Sequence, residues 1–143
     1  GITYDGNNLW ISNATDDVIE KTDLDGNILN TFNTPGIGPN DLAWDGNYLW
    51  LGDTNTDTIY KLDPANGNVL DSFSAPGNVP QGITFDGQYL WHTDILTNQI
   101  YQIDLGYPPP AGATPAPPGV VTMLTMLISL AGWRVVGTLR RRK

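Results

Sequence analysis

Cysteine is absent from the 143 residues, and histidine and glutamate each occur once. Without cysteine there is no disulfide framework, no thiolate metal site and no thiol nucleophile. Acid is absent from residues 107–143, which hold five bases, while residues 1–106 hold all 15 acids beside only Lys21 and Lys61. The formal net charge of −8 is therefore −13 on the first part and +5 on the second, and the two parts do different jobs. Duplex binding runs on Lys and Arg neutralising phosphates, so an acidic domain of this kind excludes nucleic acid as the expected partner. What is present instead is 16 glycines, 11 prolines and Asn and Asp throughout, the composition of a turn-rich β protein of about one domain.

Self-similarity dominates the first part. Residues 1–10 read GITYDGNNLW, 41–50 read DLAWDGNYLW and 82–91 read GITFDGQYLW. Asp17, Ile19, Lys21 and Asp23 recur as Asp57, Ile59, Lys61 and Asp63, and Asn98, Ile100, Gln102 and Asp104 hold the third copy. Gly26, Asn27, Leu29, Phe32, Pro35, Gly36 and Pro39 recur as Gly67, Asn68, Leu70, Phe73, Pro76, Gly77 and Pro80. In the second copy four short runs, Leu42 to Trp44, Tyr48 to Asp53, Thr58 to Leu62 and Asn68 to Phe73, are separated by turn residues. Asp-Gly and Asn-Gly supply the positive φ of tight hairpins, so each unit is expected to be a four-stranded antiparallel meander. Leu49 and Leu51 point one way and Trp50 the other, because side chains alternate along a strand. Sheets apolar on both faces must be covered on both, and units at a period near 40 achieve this by packing face to face around an axis.

The pattern G-I-T-x-D-G-x-x-L-W, then D, then I-Y-x-x-D, then G-N-x-L-x-x-F-x-x-P-G, resembles the NHL-type and streptogramin-lyase-type β-propellers over residues 1–106. The resemblance implies an all-β partial propeller with blades at 1–40, 41–81 and 82–106. The third blade is expected to be incomplete, since no G-N-x-L-x-x-F run follows Leu105. Closed propellers of this kind often finish the last blade with a strand from the N-terminus, which implies a C-terminal piece of a longer propeller; a complete three-unit open arc is the alternative. Such an arc would expose the apolar faces of its end blades.

Residues 107–119, YPPPAGATPAPPG, carry six of the eleven prolines and read as an extended spacer. Val120 to Leu139 is an apolar run of 20 residues, about 30 Å as a helix, which matches a hydrocarbon core. Arg134 interrupts it at a cost of about 3 kcal/mol on insertion scales, partly avoided because Arg140 is one to two turns away and the side chain can snorkel. A helix over 120–143 ending in Arg140, Arg141, Arg142 and Lys143 is thus expected to anchor the chain, with the basic end in the cytoplasm and the repeats outside. Proline spacer, apolar stretch and arginine cluster resemble the PEP-CTERM class of bacterial sorting signals. Pro117 and Pro118 fall in the proline motif, and the glutamate of that class is missing. The resemblance implies export to a bacterial surface, with the tail either processed by a membrane protease or retained as a helix.

In an up-and-down meander the loops between second and third strands, and those entering the next first strand, emerge at one end. That end collects Asn13 to Asp17, Asp53 to Asp57 and Asp94 to Asn98 with the Pro-Gly loops 35–40 and 76–81. Asn13, Asp17, Asp53, Asp57, Asp94 and Asn98 are the candidate ligand-binding residues of an acidic, amide-rich face suited to a protein or polysaccharide. Asp53, Asn55 and Asp57 have the alternate-oxygen spacing that opens a calcium loop, the one cofactor the pattern admits. Thr58 stands where that loop's glycine belongs and Pro64 where its glutamate belongs, and turn capping is the competing reading. His92 occupies the slot of Ile11 and Leu51. It is the one catalytic candidate, since streptogramin-type lyases use a histidine, with a core histidine as the alternative. Trp10, Trp50 and Trp91 recur with Leu9, Leu49 and Leu90 and are expected between blades, not as sugar platforms.

The sequence therefore points to an exported, surface-anchored propeller that binds or scaffolds. The alternative is a secreted propeller enzyme of lyase or lactonase type, with a divalent metal and most of its site on upstream blades.

Overall fold

The structure, a computed structural model, describes residues 1–108 and, as backbone, residues 134–140. Each unit begins at a hairpin built by one aspartate. Asp5 Oδ1 accepts the N–H groups of Asn7 and Asn8, while Gly6 adopts φ 102° between them. Asp45 and Asp86 repeat the arrangement on Asn47 and Tyr48 and on Gln88 and Tyr89. These turns join β1 (Ile2–Tyr4) to β2 (Leu9–Asn13), β5 (Pro39–Trp44) to β6 (Leu49–Asp53), and β9 (Pro80–Phe85) to β10 (Tyr89–Asp94). The third strands are β3 (Val18–Thr22), β7 (Thr58–Leu62) and β11 (Gln99–Asp104), and the fourth are β4 (Ile28–Asn33), β8 (Val69–Ser74) and β12 (Arg134–Arg140).

Three four-stranded antiparallel sheets result, ordered β1-β2-β3-β4, β5-β6-β7-β8 and β9-β10-β11-β12. The strand boundaries of the second unit fall within a few residues of those read from its turns, with Pro39 and Pro80 as strand-opening residues that need no ladder N–H there.

The last strand corrects the expected helix over 120–143 at Arg134–Arg140, and with it the expected incompleteness of the third blade. Val135, Val136 and Thr138 are β-branched and prefer extended backbone, and β11 offers an edge of N–H and C=O groups that β12 pairs. The register repeats that of the other blades. Ile100 lies opposite Leu139 as Ile19 lies opposite Phe32 and Ile59 opposite Phe73. A bulge follows at Gln102/Ile103, as at Lys21/Thr22 and Lys61/Leu62. Residues 105–133 separate β11 from β12, whereas 23–27 and 63–68 suffice in the other blades. The remainder of the expected helix, most of the proline spacer, and Pro117, Pro118, Arg141, Arg142 and Lys143 lie outside the described residues. Among the described residues no helix is long and apolar enough to cross a membrane.

The sheets pack face to face through two apolar layers. Trp10 and Ile19 of blade 1 meet Leu42, Leu49, Leu51 and Leu62 of blade 2. Ala43, Trp50 and Ile59 of blade 2 meet Ile83, Leu90 and Ile103 of blade 3. The tryptophan face of one blade thus covers the leucine face of the next, and burying each ring contributes roughly 2 to 3 kcal/mol. Phe32 stacks on Trp10 at 6.0 Å, and Phe73 lies tilted against Trp50 at 6.2 Å.

The Asp-Gly hairpins hold more than their own turns. Asp5, Asp45 and Asp86 each present the second oxygen to the indole N–H of Trp10, Trp50 and Trp91, all at 2.7 Å. Tyr107, at the head of the proline spacer, is also packed onto the blades. Its ring meets Phe85 edge-on at 5.8 Å, and its hydroxyl donates to Asp45 Oδ2 at 2.8 Å. Burial first, and the Asp45 carboxylate second, raise the phenol well above its ordinary value. Lys61 donates to the Tyr107 oxygen at 3.3 Å, with its ammonium 4.0 Å from the Tyr48 ring centroid.

Candidate functional site

The loops between second and third strands close on a residue in the left-handed region: Asp17 (φ 54°), Asp57 (φ 52°) and Asn98 (φ 55°). Asn13, Asp53 and Asp94 open the same loops. Asn13 Oδ1 accepts from Thr15 and Asp16, Asp53 Oδ1 from Asn55 and Thr56, and Asp94 Oδ1 from the N–H and hydroxyl of Thr97. All six candidate ligand-binding residues are therefore turn-forming positions.

The second carboxylate oxygens bind the neighbouring Pro-Gly loops. Asp53 Oδ2 accepts from Gly38 at 3.1 Å, and Asp94 Oδ2 accepts from Asn78 and Val79, both at 2.7 Å. Thr54 N–H to the Gly38 carbonyl, Asn55 to that of Ile37 and Ile95 N–H to that of Val79 complete the seam. The two loop families do meet at one end, as the meander requires.

This wrapping explains the recurring glycines. A Cβ on Gly36 would stand 2.2 Å from Asp53 Oδ2, and one on Gly77 would stand 2.2 Å from Asp94 Oδ2. Asp53 is 0% exposed and Asp94 is 3% exposed, so both carboxylates are sealed beneath the loops they hold. Burial alone would lift the Asp94 carboxyl; the N–H groups of Thr97, Val79 and Asn78 and the Thr97 hydroxyl outweigh it and hold the group at about 2.

With Asp53 turned inward on three N–H groups, the Asp53-Asn55-Asp57 series has the geometry of a capped turn. Among the described residues no group of three His, Cys, Asp or Glu could hold a metal ion. His92 is 1% exposed and stacks on Tyr101 at 4.9 Å, and among the described residues neither ring nitrogen has a hydrogen-bond partner. Burial pushes the imidazole below its ordinary value, against the Thr93 and Pro76 backbone and the Asp94 carboxylate, which favour the proton. It is buried in the slot that Ile11 and Leu51 hold in the other blades.

What the loop face presents outward was not apparent from its acid count. Ile37, Ile95 and Leu96 are exposed at loop tips, beside exposed Asn55, Asn78 and Asn98. Ile95 and Leu96 sit one or two residues from Asp94 and Asn98, and Ile37 stands between the glycines of the 35–40 loop, where a count of charged residues overlooks them.

No protein-family model and no curated protein matches the chain. Among solved structures, a streptogramin B lyase matches at 26% identity and TM-score 0.61, over 78% of this chain and 41% of that one. Virginiamycin B lyase from Staphylococcus aureus matches at 25% identity and TM-score 0.61, over 76% and 38%. The β-propeller domain of Myceliophteria thermophila Cps50 (Swd1) matches at 14% identity and TM-score 0.56, over 75% and 36%. The chain spans less than half the length of each solved protein it matches here. Its described residues form three blades of a β-propeller like that of the streptogramin lyases.

Proposed function

We propose that the chain is a binding or scaffold propeller, exported and held at a bacterial surface through its tail, with the loop face as its recognition surface. The observation that carries this reading is the inversion of that face. Its best-placed carboxylates are spent on anchoring loops, while Ile37, Ile95 and Leu96 stand out among amides. A rigid rim with apolar tips and amide donors suits a protein segment better than a metal ion, and a polysaccharide is the second class of ligand to screen. Export and anchoring rest on the acid-free apolar tail and its terminal arginines. The full chain should select ligands from a displayed-peptide library or a glycan array. Ile37→Asp with Leu96→Asp should abolish that binding at an unchanged melting temperature. Ligands held equally by the double variant would move the site elsewhere.

The likeness to the two lyases supports a second reading, a lyase or lactonase whose catalytic groups and divalent metal reside mostly on blades beyond these. Incubation of the chain, joined to whatever further blades its reading frame encodes, with virginiamycin B and a divalent metal separates the two. A linearised product by mass spectrometry would replace the binding reading with the enzymatic one.

A further inference from the structure

The chain leaving β11 begins like its counterparts and then takes another direction. An aspartate opens the turn in every blade: Asp23 Oδ1 accepts the N–H of Asp25, Asp63 Oδ1 that of Ala65 and Asp104 Oδ1 that of Gly106. In blades 1 and 2 the turn closes at once. The N–H groups of Asp23 and Asp63 donate to the carbonyls of Asn27 and Asn68, and the chain passes outward into β4 and β8. After β11, Gly106 takes φ 73° and the chain passes inward. Leu105 is buried with Ala43, Trp50, Ile83 and Leu90 between blades 2 and 3. Tyr107 then sets its ring on Phe85, at the end of β9, and its hydroxyl on Asp45, in the turn that follows β5. β5 and β9 lie against each other on the inner side of the blades, whereas β8 is an edge strand with most of its side chains exposed. Residue 107 thus sits on the inner side of the hairpin end, and the loop face is at the opposite end of the same strands.

We propose that Tyr107 is the seat from which the tail departs, pinning the chain to the inner hairpins across the seam of blades 2 and 3, so that a propeller held by its tail turns its loop face away from the surface. Three groups from two blades hold the one side chain: Phe85 by its ring edge, the Asp45 carboxylate as acceptor and the Lys61 ammonium as donor. Asp45 is itself fixed, because the same Oδ2 accepts the Trp50 indole and Oδ1 caps the hairpin. Such a seat sets direction as well as position, which a lone glycine at the end of a strand would leave free. Tyr107 precedes β12 in the chain and touches none of its residues through these contacts, so the seat is the same with β12 paired or released. The orientation at a surface rests on the tail being an anchor, as proposed above; the seat itself does not.

A nitroxide on Ala111→Cys of the full chain, which has no native cysteine to compete, tests the seat by paramagnetic broadening. The amides of Asn47 and Gln88, in the inner hairpins, should lose more signal than that of Asn66 in the outer turn of blade 2 and that of Asn78 on the loop face. Tyr107→Ala should even out the losses at Asn47 and Asn66, whereas Tyr107→Phe, which keeps the ring for Phe85, should retain most of the contrast. A greater loss at Asn66 than at Asn47, or a contrast that Tyr107→Ala leaves unchanged, would overturn the seat. Orientation is read on phosphatidylglycerol vesicles with nitroxide headgroups. A fluorophore on Asn47→Cys should be quenched more strongly than one on Asn78→Cys, and the reverse order would overturn the orientation. A chain that stays off the vesicles would overturn the anchor and the orientation together, while the broadening in solution would still decide the seat.

Discussion

Asp94 shows what most of the acids in this chain are for. Its two oxygens take three backbone N–H groups and a hydroxyl from two separate loops. Asp94→Ala strands buried N–H groups and should cost about 2 to 4 kcal/mol in urea unfolding. The pH dependence has a definite sign. A carboxyl held at about 2 in the folded state, against about 3.9 when unfolded, stabilises the fold fully above pH 4. That contribution, roughly 2 kcal/mol, is lost as pH falls through the folded value. Asp94→Asn should therefore flatten the acid limb of the stability curve between about pH 4 and pH 2, as read by urea midpoints across that range. An unchanged limb would mean that other carboxyls set it. The acid count was legible in the sequence, but its use was not. Spacing cannot tell a carboxylate that faces water from one folded under a loop, because the difference lies in where the loop 15 or 16 residues away returns.

At the scale of the element, the Pro-Gly loops and the fourth strands are the informative cases. Gly77 combines φ +99° with the close approach of Asp94, whereas Gly46 has φ +101° and open space around it. Gly77→Ala should cost about 2 kcal/mol or more and Gly46→Ala about 1, measured as shifts in urea midpoint. Equal costs would show that backbone angle alone sets the penalty. Strands, turns and blade faces were readable because a side-chain period of two and recurring Asp-Gly pairs fix them locally. β12 was harder to read. Its run Val135-Val136-Gly137-Thr138-Leu139 follows Ile28-Leu29-Asn30-Thr31-Phe32 and Val69-Leu70-Asp71-Ser72-Phe73. Displacement by the long connection hid that likeness, and apolar β-branched residues suit a membrane helix and a strand alike.

The whole molecule must reconcile β12 with the proposed anchor. If Arg134–Arg140 stays on β11, the apolar run left over is 120–133, about 21 Å as a helix and short of the roughly 30 Å core. Completing blade 3 and spanning a bilayer are then mutually exclusive uses of one segment. The absence of native cysteine makes this testable. Gln102 and Gly137 lie opposite each other in the ladder, and a Gln102→Cys/Gly137→Cys pair would clamp β12 when oxidised. Wild type and the reduced pair should sediment with phosphatidylglycerol vesicles, and the oxidised pair should remain in the supernatant. Sedimentation of the oxidised pair would refute exclusivity. A wild type that never sediments would refute the anchor itself.

Blade 2 is the only blade that, among the described residues, is covered on both faces, and its central strand β6 is buried along its whole length. In a stack held by nearest-neighbour contacts, opening starts at the ends. The backbone amides of Leu49 to Gly52 should therefore give up their protons to deuterated water last, and at the rate of complete unfolding. Those of β1 should exchange earlier, through fluctuations that leave the middle of the stack intact.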